Sequence, residues 1–512
     1  MNEFPWLTLL VLAPLVGALV VAFAPSALTK QLSIGFGLLT LALGVAIAVQ
    51  YDVDGGMQLQ EQHTWIDAFG VNYALGVDGL GLLMILLTVL IVPVVMVAGW
   101  FDGDEGDTKA FFAWALALEA MSLAVFCATD VFLFYVVFEA TLIPAYFLIG
   151  GFGREGRAGA AVKFLMFQLA GGLILLASVI GLYVVSAQQG EPSYLLSDLS
   201  QLDMSQNAER WLFAGFFIAF AIKAPLFPVH TWLADTAEKA TPGTSVLLVC
   251  ILDKIGTFGM LRFCLGIFPE ASQWATPLVM VLALISIVYG ALIAIGQDDV
   301  LRLIGLTSLS HFGFITLGIF ALSSQGGTGS ILYMVNHGLG TAALFLLAGY
   351  LIRRRGTTLI SEMAGIEKAT PILAGLFLVA GLATLGLPGL SPFVSEFLVL
   401  MSAFDYQWYV GAIAVTGIVL AAIYVLWMYQ RVMTGATPAD VEGTPDIDKR
   451  ELGAIAPLML ALVLFGFYPM PLLDVANPTI DSLMAYVGVS DAPPDVPAGS
   501  VPDHAATEGG EG

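Results

Sequence analysis

The sequence predicts an all-α polytopic membrane protein with about 14 transmembrane helices, forming two inverted five-helix repeats that each contain a discontinuous helix. Three observations predict this fold. Hydrophobic residues make up 58% of the 512 residues and charged residues only 11%, with a mean hydropathy of +0.89. Apolar runs long enough to span a membrane recur along the chain, and two of these runs are interrupted by prolines. A soluble protein of this length would need far more charge to cover its surface.

About fourteen apolar runs are long enough to cross a hydrocarbon core of about 30 Å, which takes roughly 18–25 residues. They are residues 4–23, 31–50, 79–100, 110–128, 131–149, 163–186, 211–234, 243–264, 275–296, 300–321, 330–352, 371–403, 408–433 and 452–470. The first run lacks a basic segment before it and a small-residue cleavage site after it. We therefore expect a first span rather than a removed signal peptide.

Lysine and arginine are distributed very unevenly among the connecting segments. The connections between spans 1 and 2, 3 and 4, and so on, together with the span ends beside them, carry fourteen of these residues, whereas the other connections and their span ends carry only Arg210 and Arg262. Two further lysines lie within spans and complete the total of 18. Because cytoplasmic connections are enriched in positive charge, this bias predicts that both termini face away from the cytoplasm.

Spans 7 and 12 are interrupted in a similar way, at KAPLFP and LGLPGLSPF. Pro225 and Pro228 break the first, Pro388 and Pro392 break the second, and the matching prolines are 163 and 164 residues apart. Five spans separate the breaks, so the second unit crosses the membrane in the opposite direction. Paired broken helices in inverted units indicate a transporter with a site near the midplane. The alternative to an internal repeat is a chance match of two proline pairs. It stays open because other residues of the two halves do not match at this offset.

This spacing divides the chain into five regions. They are the N-terminal spans 1–3 (residues 1–109), a first repeat of spans 4–8 (110–264), a second, inverted repeat of spans 9–13 (275–434), a last span (451–470) and an acidic disordered tail (489–512).

Cysteine usage and charge exclude several classes of function. Cys127, Cys250 and Cys264 all lie in apolar segments without a CxxC pair, and no glycine-rich phosphate loop follows a strand. We therefore expect no cofactor and no metal in this chain. The net charge of −22 belongs to the loops and the tail, and it argues against nucleic acid as a partner.

Six ionisable residues within the predicted spans are the candidates for a function, since a charge there costs about 2.5–3.5 kcal/mol on insertion scales. They are Glu139, Lys223, Lys254, His311, His337 and Glu396. Opposite charges can simply brace helices, but six such groups spread over spans 5, 7, 8, 10, 11 and 12 favour a proton relay in the membrane plane. The three other histidines (His63, His230 and His504) fall in predicted loops or at a span end, where solvated or capping roles are expected.

The chemistry of these groups favours proton exchange over transport of a sugar or an amino acid, which would need a cavity with varied hydrogen-bonding groups. A carboxylate about 4 Å from a lysine stabilises its charged form by about 4 kcal/mol at an effective dielectric of about 20. If Glu139 pairs with Lys223, movement or neutralisation of the acid would make the lysine release its proton. Pro225 and Pro228 would leave carbonyl groups unpaired beside Lys223 and let water approach.

Five motifs occur in a characteristic order: EATLIP, KAPLFPVHTWLADTAEKATP, SLSH, NHGLG and GLPGLSPFVSEF. With them the chain resembles the antiporter-like membrane subunits of respiratory complex I and of related cation/proton antiporter complexes, over roughly residues 70–470. An acid at position 396, where sister subunits typically carry lysine, and a chain end soon after span 14 favour a subunit of NADH:quinone oxidoreductase. A sodium/proton antiporter subunit, a subunit of a membrane-bound hydrogenase-type complex and a scaffold with bracing charges are the alternatives.

The resemblance implies a proton-pumping subunit with no redox centre of its own, in the bacterial plasma (inner) membrane rather than the mitochondrial one. Flavin, iron–sulfur clusters and quinone would lie in partner subunits, and other membrane subunits of complex I and lipid would surround it. By position, Glu139 and Lys223 are similar to the family's charge pair and Lys254 to its connecting lysine. Glu396 is similar to the residue of the exit half, and His311 and His337 would complete the central path.

Overall fold

The computed structural model describes residues 4–104, 106–439 and 441–490, and almost all of the predicted acidic tail lies outside these ranges. Twelve helices in the described ranges are long and apolar enough to cross a membrane. The two remaining predicted spans, 211–234 and 371–403, are each divided between two shorter helices. The mainly helical membrane fold is confirmed, whereas the count of fourteen spans and the internal repeat stay predictions.

The N-terminal region contains a small β-hairpin that the sequence patterns did not predict. Its elements are α1 (Trp6–Phe23), α2 (Thr29–Gln50), β1 (Gln58–Ile66), β2 (Val71–Val77) and α3 (Gly79–Ala98). The strands pair antiparallel. Glu61 of β1 accepts the backbone N–H groups of Leu7 at 2.7 Å and Thr8 at 3.2 Å. Because Pro5 provides no side-chain cap for α1, the hairpin satisfies amide groups that the helix start leaves unpaired.

The middle of the chain contains the first broken helix and a segment of irregular helix. Its elements are α4 (Thr108–Cys127), α5 (Val131–Ala140), α6 (Leu142–Gly151), α7 (Arg157–Gln189), α8 (Leu196–Leu199), α9 (Gln206–Lys223), α10 (Thr231–Lys239), α11 (Pro242–Leu247) and α12 (Lys254–Gly259). Two π-helical stretches, Leu248–Leu252 and Met260–Leu265, flank α12. Stretches of π-helix inside a membrane helix are often found at functional sites.

The C-terminal half contains the second broken helix and one helix that the hydropathy pattern did not predict. Its elements are α13 (Pro269–Ile295), α14 (Val300–Phe320), α15 (Ser324–Arg355), α16 (Pro371–Thr384), α17 (Ser391–Tyr406), α18 (Trp408–Met433), α19 (Lys449–Phe467) and α20 (Met470–Val487). The additional helix, α20, packs against α3, α13 and α15. Alternating acidic and apolar residues such as Asp474 and Asp481 gave it too little hydropathy to be predicted as a span.

The two broken helices share a local hydrogen-bond pattern. In the first, Leu226 donates its N–H to Ala221 O at 3.0 Å, and in the second Leu387 donates to Leu382 O at 3.0 Å. This pattern repeats at an offset of 161 residues (387 − 226), slightly less than the proline spacing. The prolines therefore occupy similar but not equivalent positions, Pro225, Pro228 and Pro388 between the half-helices and Pro392 at the start of α17.

The longest buried helix, α15, forms the centre of the bundle. It packs against α3, α11, α14, α16, α17, α19 and α20, and its membrane-spanning part is completely buried inside the protein. Helices α1, α2, α7, α13 and α18 instead expose many apolar side chains on one side, as helices in contact with lipid do. Polar side chains on α15 are therefore shielded from lipid on all sides.

Ion pairs in the described part of the chain join only loops that the charge bias assigns to the same side of the membrane. On the Lys/Arg-rich side, Lys30 pairs with Asp104 at 2.7 Å. Further pairs on that side are Arg154–Asp299, Lys163–Asp235, Arg302–Asp235, Arg354–Glu451 and Arg431–Asp298. On the other side, Arg262 pairs with Asp78 at 2.5 Å. This grouping agrees with the predicted topology, while the side that faces the cytoplasm stays a prediction.

Candidate functional site

Lys223 is the last residue of α9 and lies fully buried at the first helix break. Its ammonium donates to Thr141 Oγ1 at 3.1 Å and lies 4.4 Å from the centre of the Phe138 ring. Thr141 marks the bend between α5 and α6, so this bend brings a hydroxyl group to the lysine. A carbonyl beside Lys223 is also satisfied, because Ile222 O accepts the indole N–H of Trp232 at 3.0 Å. Trp232, on the half-helix that follows the break, thus stabilises the backbone at the break.

Glu139 lies half-buried on α5, near Lys223 but not in contact with it. The two side chains do not form an ion pair within 4.0 Å in the described part of the chain. The buried Glu139 Oε1 has no hydrogen-bond partner there. A Cβ atom on Gly172 of α7 would lie 1.9 Å from Glu139 Oε1, so the carboxyl group occupies space that only a glycine leaves open. The expected charge pair therefore acts over a longer distance than a direct ion pair.

Gly172→Ala is expected to reduce several-fold the proton transfer that the sequence predicts, without unfolding the protein, because its methyl group displaces the flexible end of the Glu139 side chain rather than backbone. The measurement is proton transfer in energised membrane vesicles, normalised to the amount of this chain that they contain. Gly159→Ala on the same helix is the matched control, since a Cβ atom there meets nothing within 4 Å. Replacement of a helical glycine by alanine normally stabilises a helix by about 0.5–1 kcal/mol. Equal pumping by both variants would contradict the proposed role of the Glu139 position.

Lys254 begins α12 and is fully buried at the centre of the protein. Its ammonium donates to Val249 O at 3.1 Å and contacts His337 Nδ1 at 2.7 Å. The π-helical stretch before it explains the first contact, because Asp253 N bonds to Leu248 O and the altered register leaves the neighbouring carbonyl available. Lys254 is thus directed from its own helix toward α15.

The two histidines face each other across the interface between α14 and α15. Their ring centroids are 5.2 Å apart, and His337 Nε2 also lies 3.3 Å from Ser308 Oγ. A cavity of about 10 Å³ lies beside both rings, lined also by Asn336, Thr341 and other residues. This volume is close to the smallest that holds one water molecule. The step between the histidines is therefore the one step in the series from Lys254 onward without a direct hydrogen bond.

Glu396 joins the series through a tyrosine. His311 Nδ1 lies 2.6 Å from Tyr333 Oη, which donates to Glu396 Oε1 at 2.7 Å. Tyr424 Oη approaches His311 Nε2 at 3.5 Å. Gly386, in the second helix break, has a positive φ of 77°, and a Cβ atom there would lie 1.8 Å from Glu396 Oε2. The second break therefore provides the space for this acid, as Gly172 does for Glu139.

The structure brings four of the six predicted residues into one series, Lys254, His337, His311 and Glu396, and leaves Glu139 and Lys223 beside it. The sequence patterns did not identify Tyr333, although it lies four residues before His337 and hence on the same helix face. His63 is exposed as expected, and His504 lies outside the described residues. His230 was expected to be solvated or to cap a helix, but it is buried against Phe227 and Tyr289.

The described residues contain no cluster of three or more His, Cys, Asp or Glu side chains that could hold a metal ion. The described part of the site consists instead of single titratable groups on six helices. Two of these helices belong to discontinuous pairs, a design typical of transporters whose site lies near the midplane. The fold and the site together define a membrane protein of the ion-transporter class.

Comparison with known proteins identifies the family within this class. The family model described as "NADH:quinone oxidoreductase/Mrp antiporter, TM" matches residues 128–421. NADH-quinone oxidoreductase subunit M of Mycobacterium tuberculosis is 46% identical over 554 residues, which cover 100% of both chains. A chain of respiratory complex I from Thermus thermophilus with bound NADH superposes with a TM-score of 0.87 at 33% identity, covering 94% of this chain and 100% of that chain.

The chain belongs to the NADH:quinone oxidoreductase/Mrp antiporter family, and the expectation of an antiporter-like complex I membrane subunit is confirmed. The fold alone does not separate the two branches of this family. A chain of the Mrp complex from Dietzia sp. DQ12-45-1b has a TM-score of 0.84 at 23% identity, covering 95% of this chain and 99% of that chain.

Proposed function

We propose that this chain transfers protons across the membrane as a subunit of an NADH:quinone oxidoreductase, through a relay of buried side chains. The relay comprises Glu139, Lys223, Lys254, His337, His311 and Glu396. The observation that supports it best is the series of contacts from Lys254 to Glu396, in which consecutive polar atoms lie 2.6–2.7 Å apart except between the two histidines. Each residue of the series from Lys254 to Glu396 is at most 4% exposed, so water and lipid do not compete for these contacts.

Each step in this series has a donor and an acceptor. A charged Lys254 can give a proton to His337 Nδ1, and the imidazole can release one from its other nitrogen. Transfer to His311 requires a small movement of either ring or one water molecule in the neighbouring cavity. Tyr333 can then accept a proton from His311 while it donates its own to Glu396. The series therefore conducts protons without a continuous column of water.

The direction of transfer is assigned from the resemblance to the family together with the predicted topology. Protons enter from the cytoplasm through the repeat at 110–264, which contains Lys223, and leave to the periplasm past Glu396 in the repeat at 275–434. Redox energy arrives from the quinone-binding part of the complex as a change of charge at Glu139. Flavin, iron–sulfur clusters and quinone belong to partner subunits, and both termini of this chain lie in the periplasm of a bacterium.

Tyr333→Phe is expected to lower NADH-driven proton pumping by about tenfold, because removal of the hydroxyl group breaks the connection between His311 and Glu396. Pumping per assembled complex in membrane vesicles is the quantity to measure. Tyr350→Phe on the same helix is the matched control, since the Tyr350 hydroxyl donates to Glu451 O at 3.4 Å, away from the relay. If Tyr333→Phe pumps as fast as Tyr350→Phe, the relay does not pass through this tyrosine.

Purification of the chain from gently solubilised native membranes tests the proposed complex. Flavin, iron–sulfur clusters and NADH oxidation in the purified assembly are expected. Their absence, together with sodium-dependent proton exchange, would instead support an Mrp-type antiporter, and nickel would support a hydrogenase-type complex. Either result would contradict the proposal.

A further inference from the structure

Asp253 is a buried acid that the relay described above does not use. Its side chain has no solvent exposure, and neither carboxylate oxygen has a hydrogen-bond partner in the described part of the chain. An unpaired buried polar group is strongly disfavoured, and a buried carboxylate without a cation nearby even more so. A static structural acid would be expected to have its oxygens satisfied, so the position of Asp253 calls for another explanation.

The helix geometry directs Asp253 toward Lys223. Gly256 lies three residues later on the same face, and a Cβ atom on it would lie 2.6 Å from Phe220 O and 2.5 Å from Ala224 N, at the end of α9. This face of α12 therefore meets the segment that carries Lys223. Lys254, about 100° further around the helix, points away from α9 and contacts His337 on α15.

Asp253 also lies within electrostatic reach of both lysines. Its charge acts on Lys223, together with that of Glu139, and it is the acid that acts on Lys254. Neither lysine has an ion pair within 4.0 Å in the described residues, and their hydrogen bonds go to Thr141, Val249 and His337. A gap therefore separates the lysine at the helix break from the lysine that begins the central series, and an acid without a partner lies in it.

We propose that Asp253 carries protons between Lys223 and Lys254, which closes this gap. The inference rests on the proposed proton relay and adds a residue to it. In the first step, the Lys223 ammonium gives a proton to the Asp253 carboxylate, which leaves a neutral amine and a carboxylic acid. In the second step, the acid gives this proton to a neutral Lys254, which regenerates the carboxylate and leaves a charged Lys254 beside His337. Rotation of the flexible lysine chains brings the groups into contact.

The test uses the assembled complex in native membrane vesicles, with NADH-driven proton pumping as the readout. Oxidation of NADH by an artificial electron acceptor measures how much complex is assembled. Asp253→Asn keeps the shape of the side chain but cannot carry a proton, so pumping per complex is expected to fall at least about tenfold. Asp253→Glu is expected to keep at least about half of the pumping. Asp253→His, which can carry a proton but not a negative charge, is expected to pump at least about fivefold faster than Asp253→Asn.

The histidine variant separates a proton carrier from a fixed counter-ion. If Asp253 only compensates the two lysines, Asp253→His adds positive charge and pumps no better than Asp253→Asn, which would overturn the inference. Normal pumping by Asp253→Asn would also overturn it. If Asp253→Asn does not assemble, the comparison of the glutamate and histidine variants decides in the same way.

Two further variants provide controls. Glu119 on α4 is similarly buried and has neither oxygen partnered in the described residues, but the charge of neither lysine acts on it. Glu119→Gln is expected to pump within about twofold of the unmodified complex, and a loss equal to that of Asp253→Asn would show a general effect of buried acids and contradict the inference. Lys223→Ala distinguishes the two proposals. If the Lys223→Ala complex pumps normally, the relay itself is overturned. If Lys223→Ala stops pumping while Asp253→Asn pumps normally, only the role of Asp253 is overturned.

Discussion

Lys223→Ala is expected to abolish NADH-driven proton pumping and the coupled reduction of quinone while the complex still assembles. The ammonium is fully buried, and it is the group that connects the first helix break with the bend at Thr141. Its loss removes a proton carrier and leaves only a neutral hydroxyl without its donor, which costs about 1–3 kcal/mol, far less than the stability of a large membrane domain. Pumping in vesicles and the amount of complex on a native gel are the two measurements.

Lys223→Arg distinguishes proton transfer from structural bracing. An arginine keeps the positive charge but does not release its proton at physiological pH, so a relay stays inactive while a brace would be restored. Lys368→Ala, at an exposed lysine that ends a short 3₁₀ helix between α15 and α16, is the control and is expected to pump normally. Recovery of pumping in Lys223→Arg would show that the charge alone is needed and would contradict the relay.

Asp78→Asn is expected to prevent assembly of the complex, through a loss of about 3–5 kcal/mol in the free energy of unfolding. The Asp78 carboxylate binds the guanidinium of Arg262 in a bidentate manner at 2.5 and 2.6 Å, and both side chains are only 9% exposed. This pair connects the start of α3 with the π-helical stretch after α12. Removal of the Asp78 charge leaves the buried Arg262 without a counter-charge, next to the helix that carries Lys254.

A double variant and an exposed pair provide the comparison for Asp78→Asn. Asp78→Leu combined with Arg262→Met replaces both charges with apolar groups and is expected to restore most of the assembly, because apolar replacement of a buried pair is often neutral. Asp104→Asn removes the partner of Lys30 in a more exposed pair and is expected to change stability by at most about 1 kcal/mol. The amount of complex on a native gel measures assembly for all three, and thermal unfolding of the purified complex compares the stability of the variants that assemble. Full stability of Asp78→Asn would show that Arg262 needs no counter-charge.

Hydropathy predicted the regular part of the fold well, because it depends on a property that the lipid imposes on every span. The limits of α14 (Val300–Phe320) and α18 (Trp408–Met433) agree closely with the predicted spans. The same patterns failed where structure depends on contacts between distant segments. The β-hairpin at residues 58–77 and the amphipathic α20 are stabilised by packing against other helices rather than by a run of apolar residues.

The sequence also allowed part of the candidate site to be predicted. An ionisable residue in an apolar run is visible in the sequence, and this identified Glu139, Lys223 and Glu396. A tyrosine such as Tyr333 is common in membrane helices, so nothing in the sequence distinguishes one that joins two relay groups. The distance between Glu139 and Lys223 could not be predicted either, because it depends on the bend at Thr141.

The narrow step between His311 and His337 has a consequence for ion selectivity and for leakage. A space of about 10 Å³ admits at most one solvent molecule, whereas a sodium ion with its shell of waters, each occupying about 30 Å³, is many times larger. To pass, a sodium ion would have to lose its hydration shell, and the two imidazole rings would replace few of the lost water ligands. If protons follow the proposed relay, this step would let a proton pass but would exclude hydrated metal cations by size, and it would keep the membrane potential from discharging through this subunit between turnovers.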